Sequence, residues 1–145
     1  MERLLVDGYN VVHAWPELKA LLRHSLEDAR DRLIERMAVY AQVTGSDVTV
    51  VFDAHRTQAL ASAEETRNGV RVLFTRKGMS ADHAIERIAY RLAGDADSLM
   101  VATNDRFQRD LVAGMGGAVI SAEELQRRVV EAEKQLSKTV EKYHR

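Results

Sequence analysis

Five short β-branched and apolar runs, separated by much longer stretches, constrain this chain more than any other feature. They are Leu4-Leu5-Val6, Val48-Thr49-Val50-Val51-Phe52, Val70-Arg71-Val72-Leu73-Phe74, Leu99-Met100-Val101-Ala102 and Ala118-Val119-Ile120. Each reads as a strand, and several of the intervals carry a helical period. Leu26, Ala29, Leu33, Met37, Tyr40 and Ala41 recur at three- and four-residue spacing behind Ser25, an N-cap, and before Gly45, which predicts a helix over 26–44. Ala81, Ile85, Ile88, Ala89 and Leu92 repeat the pattern between Ser80 and Gly94, and a shorter helix follows Asn104. The last helix opens at Ser121 with Glu124 three residues on, a capping box, and carries Leu125, Val129, Ala132, Leu136, Val140 and Tyr143 on one face. Strands alternating with helices of this length predict an α/β fold with a mainly parallel sheet and helices on both faces.

The 145 residues are the size of one domain. Lys+Arg 21 against Asp+Glu 22 leaves a net charge of −1, so any contact with nucleic acid must use a local basic patch. With no cysteine the chain has no disulfide, thiolate metal site or cysteine nucleophile, which fits a reducing compartment. Asp7 comes too early for a signal peptide and no apolar run approaches a membrane span, so the chain is read as cytoplasmic with no membrane partner. The polar interval from Ala54 to Asn68 reads as a mobile surface loop or a poorly packed helix.

The acids fall in one informative pattern. Asp7 follows the first strand, Asp53 the second, and Asp105 lies three residues beyond Ala102. The carboxyl ends of parallel strands share an edge, so these carboxylates can converge there. Asp82 and Glu86 sit four apart in the first turns of the helix after Ser80, beside its apolar stripe. Gathered carboxylates repel one another unless a cation compensates, and a hard cation such as Mg²⁺ takes oxygen ligands of this kind. Such an ion can acidify a water and stabilise charge on a phosphoryl oxygen. Singly, each acid has a plainer reading: Asp7-Gly8 has the residues of a type I′ hairpin turn leading to Val11-Val12, Asp53 can cap a loop, and Asp82 and Asp105 suit helix N-termini. Asn10 could orient a carboxylate, and Thr103 could bond Asp105 or a phosphate. His13, His55 and His83 lie near this edge without the spacing of a zinc site.

At this point the residues resemble a known family. Leu4-Leu5-Val6-Asp7-Gly8-Tyr9-Asn10-Val11-Val12-His13 is similar to the opening motif of NYN domains, a branch of the PIN-like nucleases. Val50-Val51-Phe52-Asp53-Ala54, Ser80-Ala81-Asp82 with Ile85-Glu86, and Ala102-Thr103-Asn104-Asp105 follow in the expected order, and the resemblance is strongest to the YacP-like proteins. It implies a three-layer α/β/α PIN-like domain over 1–145, with a long C-terminal helix from about 121, and an Mg²⁺- or Mn²⁺-dependent endoribonuclease. It further implies mRNA as substrate, cut on or with the translating ribosome. Carried over by position, Asp7, Asp82 and Asp105 would hold metal, Asp53 would complete the acidic cluster, Asn10 would orient it and Glu86 would add to the ligands. RNA would be held by Arg67, Arg71, Arg76 and Lys77, with Arg106 and Arg109 beside Asp105. Tyr9, Trp15 and Phe107 could stack on bases, although core packing is the expected fate of Phe107.

Other readings are weaker. A receiver-like phosphorylation domain would need a lysine after the final strand and an acidic neighbour for Asp7, and an aspartyl phosphatase would need an acid where Tyr9 stands. No glycine-rich phosphate loop is present. The alternatives that remain are a PIN-like module that binds RNA or ribosomes without cutting, and a toxin-type PIN ribonuclease.

Overall fold

The computed structural model describes residues 2–53, 63–75, 80–91 and 99–143, the side chains of 81 and 82 excepted. The chain runs β1 (Arg3–Asp7), α1 (Gly8–Ala14), α2 (Pro16–Leu22), α3 (Leu26–Thr44), β2 (Asp47–Phe52), β3 (Ala63–Arg67), β4 (Val70–Phe74), α4 (Ala81–Arg91), β5 (Leu99–Ala102), α5 (Arg106–Gly114), β6 (Ala118–Ile120) and α6 (Ala122–Tyr143). The sheet order is β3-β4-β2-β1-β5-β6. Every pairing is parallel except β3 with β4. The order reverses beside β1, because the chain first builds outward through β2 and β4 and then returns to place β5 on the other side. A crevice opens beyond the strand ends at such a switch.

Successive strand residues face opposite sides, and the two faces are filled by different helices. Leu4, Val6, Val48, Val50, Phe52 and Val72 pack with the buried faces of α1, α2, α3 and α6, among them Val12, Leu33, Met37, Leu125 and Val129. Leu5, Val51, Leu99 and Val101 meet Ala84, Ile85 and Ala89 of α4 and Val112 of α5. The expected three-layer arrangement is therefore the one observed. Trp15, fully buried, ties the first layer together: its indole N–H donates to the carbonyl of Ala122 at 2.7 Å, and the Arg36 guanidinium lies over its ring at 5.0 Å. Arg36 in turn forks onto Glu133 at 3.1 and 2.9 Å and pairs with Glu17, so one buried cation joins α2, α3 and α6. Burial pulls the Arg36 pKa down, but the bonds to both carboxylates outweigh it and leave the pKa above its ordinary value.

Three expectations change. The interval 54–68, read as a loop or weak helix, contains strand β3 at its end, while 54–62 lie outside the described residues. Its residues are almost all exposed, so no apolar alternation marks it, and the ladder to β4 is what orders it. The turn that forms it is Asn68-Gly69, with φ of 51° and 86°, the two left-handed positions that a two-residue hairpin loop requires. Asp7-Gly8 is no hairpin turn, since Gly8 begins α1 directly, and α2 follows with Pro16 at its first position. Trp15 is core, whereas Phe107, expected in the core, is 69% exposed. The buried positions of α5 are Gln108 and Val112, and Phe107 lies about 100° round the helix from that stripe.

Gly8 is fixed by close approach. A Cβ there would stand 2.5 Å from two carbons of the Phe52 ring and 2.9 Å from the Val51 carbonyl oxygen, and the backbone member of that set cannot swing away. Gly8→Ala is therefore expected to lower stability by about 1–3 kcal/mol through overpacking. Urea denaturation followed by circular dichroism checks this, and an unchanged midpoint would mean that α1 can lift off the sheet without cost.

Candidate active site

Strand β1 ends in the middle of the sheet, with Val51 of β2 paired to Asp7 on one side and β5 on the other. This position leaves the Asp7 carboxylate only 7% exposed. A buried carboxylate needs donors, and two buried side chains supply them to the same oxygen. Thr103, just beyond β5, donates its hydroxyl to Oδ2 at 3.3 Å, and the Gln108 amide Nε2 donates to it at 3.1 Å. The same two residues hold Asp105. Its backbone N–H donates to Thr103 Oγ1 at 3.0 Å, and its Oδ1 accepts the backbone N–H of Gln108 at 3.0 Å, capping α5. Asp7 and Asp105, far apart in sequence, are thus tied to each other through shared partners at the β1–β5 switch.

A second layer fixes the surroundings. Asn10 Oδ1 accepts the backbone N–H of Asn104 at 2.8 Å, which binds the first helix to the segment after β5. The Asn104 side chain accepts from Ala122 N–H at 2.9 Å and donates to Glu123 Oε1 at 3.1 Å, which anchors the start of α6 at the same edge. Tyr9 packs its ring against Phe52 at 5.1 Å and accepts from Arg30 at 3.1 Å. Arg30 also lies 5.6 Å from the centre of the Phe74 ring, at the carboxyl end of β4, so a cation stands on this edge.

The remaining predicted residues divide clearly. Asp53, half-buried, directly follows β2 on the same edge. The backbone of Asp82 lies in the first turn of α4, a helix that packs on β1 and β2, and its side chain is outside the described residues. Glu86 is half-buried one turn further along α4. Arg106 and Arg109 are exposed on α5 beside Asp105. Arg67 and Arg71 are elsewhere: they flank the turn that opens β4, about 10 Å of strand away from its carboxyl end, and pair with Asp31 at 2.9 Å and Asp47 at 2.7 Å. The structure does not bring them to the aspartates. Arg76, Lys77 and His55 lie outside the described residues, and His13 and His83 are exposed.

Among the described residues no three acids or histidines come close enough to hold an ion. The donors present are oxygens: the Asp7 and Asp105 carboxylates, with the Thr103 hydroxyl and the Asn10 amide beside them. That chemistry fits Mg²⁺ or Mn²⁺ and not a soft metal.

Three residues of this edge escaped the sequence reading. Gln108 had a signal, since Asp105-Arg106-Phe107-Gln108 has the spacing of a capping box, yet that motif gives no hint that the side chain turns to Asp7. Asn104 stands inside the Ala102-Thr103-Asn104-Asp105 motif without a role of its own there, and Arg30 had no signal, because both roles depend on which helices meet at the edge.

Comparison with known proteins gives concordant results. Residues 4–145 match the family model described as the YacP-like NYN domain. The chain is 43% identical over 142 residues to the uncharacterised protein YacP of Bacillus subtilis (strain 168), covering 98% of this chain and 83% of that one. The crystal structure of Rae1 (YacP) from Bacillus subtilis aligns with a TM-score of 0.85 at 43% identity, over 99% of this chain and 82% of that chain. A mutant form of the same protein gives a TM-score of 0.85 at 42% identity, over 99% and 84%.

The shared partners of Asp7 and Asp105 make a stability prediction. Gln108→Leu, close to the glutamine in size, leaves a buried carboxylate one donor short and is expected to cost about 1.5–3 kcal/mol. Equilibrium urea unfolding measures it, and a variant as stable as the parent would show that the Gln108–Asp7 bond contributes nothing.

Proposed function

The chain belongs to the YacP-like NYN family, and from that membership we propose that it is an Mg²⁺- or Mn²⁺-dependent endoribonuclease acting at the β1–β5 edge. The observation that carries this reading is the linkage of Asp7 and Asp105 through Thr103 and Gln108 at the switch of the sheet. Asp7, Asp105 and Asp82 would hold the ion, with Asp53, Glu86 and Asn10 supporting them. Bound there, the ion would supply Lewis acidity toward water and the scissile phosphate.

The chain's own residues account for the rest. Thr103 and Gln108 fix the Asp7 carboxylate in one orientation, so it need not reorganise as charge develops at the phosphate. Asn104 holds Asn10 in place through its backbone N–H. Arg106 and Arg109, exposed next to Asp105, are placed to neutralise RNA phosphates, and exposed Phe107 between them offers a face on which a base can stack. The reaction is hydrolysis of a phosphodiester, leaving by family analogy a 5′-phosphate and a 3′-hydroxyl. The substrate we propose is mRNA in the cytoplasm, presented on or with the translating ribosome; this part rests on the family resemblance.

Primer-extension mapping of 5′ ends tests the reading on one mRNA, free and under translation, with Mg²⁺. Wild-type protein is expected to create new ends, and Asp7→Asn to reduce them roughly 100-fold or more, since even outer partners of metal ligands cost 10–100-fold when removed. Ends confined to translated mRNA would make the ribosome part of the substrate. Cleavage by Asp7→Asn at the wild-type rate would remove Asp7 from the site, and no cleavage in either condition would leave a module that binds without cutting.

A further inference from the structure

The opposite end of the sheet carries a cleft of a different character. It has a volume of about 530 Å³ and lies between α4 and the sheet, running from Arg3, Asp47 and Arg71 near the amino-terminal ends of β1, β2 and β4 up to Leu73, which pairs with Val51. Four arginines line it, Arg3, Arg71, Arg87 and Arg91. Two acids face them, and one of these, Asp47, is engaged with Arg71 at 2.7 Å, leaving Glu64 at the margin. Between the charges the floor is largely apolar, with Leu5 and Ala84 buried and Leu73 and Ile88 half-buried, and the half-buried Thr49 places one hydroxyl among them.

We propose that this cleft is a second binding site, one that takes a nucleoside phosphate with its phosphate on the arginine rim and its base against the apolar floor. Arg87 and Arg91 stand four apart on α4, so both guanidinium groups project to one side, where like charges repel. Arg91 in the last turn is accounted for by the helix dipole, which favours a cation there; Arg87, one turn earlier, gains less from it. An anion seated between them relieves their repulsion, with Arg71, already paired with Asp47, at the rim beside it. The guanidinium fork matches phosphate geometry, whereas a lone apolar ligand would leave the rim unmatched. The volume falls within the roughly 300–1,000 Å³ of small-molecule sites.

The site is separate from the edge that carries Asp7. Arg3 opens β1 and Asp7 closes it, so the arginine rim and the aspartate lie at the two ends of one strand, while the floor extends to Leu73, level with Val51 and Asp7 across the sheet. The same chemistry has two sources, a free nucleotide or one nucleotide of an RNA strand, and the experiment distinguishes them. The full chain is titrated calorimetrically, in EDTA to prevent cleavage, with AMP, with inorganic phosphate and with a six-residue single-stranded RNA carrying a 5′-phosphate.

Saturable binding of AMP is expected, at least tenfold tighter than inorganic phosphate, at least tenfold weaker in Arg87→Glu/Arg91→Glu, and within twofold of the parent in Asp7→Asn. Both arginines are exposed on a helix; if the double variant fails by circular dichroism, Arg87→Gln is read instead, with a loss of threefold or more. RNA binding tenfold tighter than AMP identifies a strand as the ligand, and equal or weaker binding identifies the free nucleotide. The proposal is overturned if no probe binds saturably, if the arginine variants bind like the parent, if phosphate binds as tightly as AMP, or if Asp7→Asn abolishes binding.

Discussion

The contact between Gly8 and the end of β2 governs the rest of the structure. With no side chain at Gly8, the first turn of α1 sits against the Phe52 ring and the Val51 carbonyl, so the chain leaves β1 straight into a helix with no connecting loop. Asp7 is therefore held at the junction, backbone in the sheet and side chain at its edge. A connection of even two or three residues would let the carboxylate turn outward to water. Because it cannot, its charge has to be met inside the protein, and Thr103 and Gln108 meet it. The identity of both residues after β5 follows from how tightly the chain turns after β1.

The same edge depends on how the first helical layer is closed. Trp15, just past α1, donates to the carbonyl of Ala122, the first residue of α6, and Arg36 stacks on the Trp15 ring while joining Glu17 to Glu133. Removing one partner of such a buried set leaves charge or hydrogen-bonding groups stranded in the interior. The start of α6 is consequently fixed from two directions, by Trp15 below and by Asn104 at the edge. The terminal helix is thereby part of what positions Asn10 and Asp105, although it contributes no acid of its own to the Asp7–Asp105 linkage.

Most of the architecture was legible because it was written in burial. Strands β2, β4, β5 and β6 and helix α3 fall within a residue of their apolar runs, since helices cover both faces of the sheet and most central strand positions are buried. The elements that escaped are those ordered by something else. Strand β3 buries almost nothing and is held by backbone pairing to β4; its one local signal is the Asn68-Gly69 turn. In α1, Val11-Val12 mimics a strand, and only the contact of Gly8 with β2 decides for a helix. At the site, the meeting of Asp7 with Asp105 followed from strand order alone, whereas Gln108, Asn104 and Arg30 act through contacts among helices that no local pattern encodes. Arg67 and Arg71 fall at the opening of β4, and their order in the chain already places them at the amino end of that strand, away from the edge where the aspartates gather.

Strand polarity also separates charge along the sheet. In a parallel sheet all carboxyl ends gather at one edge and all amino ends at the other, so residues at corresponding strand positions accumulate by topology without being near in sequence. Here Asp7, Asp53 and Asp105 come to one edge, and Arg3 and Arg71, with Arg87 and Arg91 from the far end of α4, come to the other. A chain with a net charge of −1 can therefore hold carboxylates at one edge of the sheet and a cluster of arginines about a strand's length away, of the order of 15 Å. A balanced composition thus coexists with a local cluster of four arginines, the kind of basic patch that any nucleic-acid contact by this chain requires.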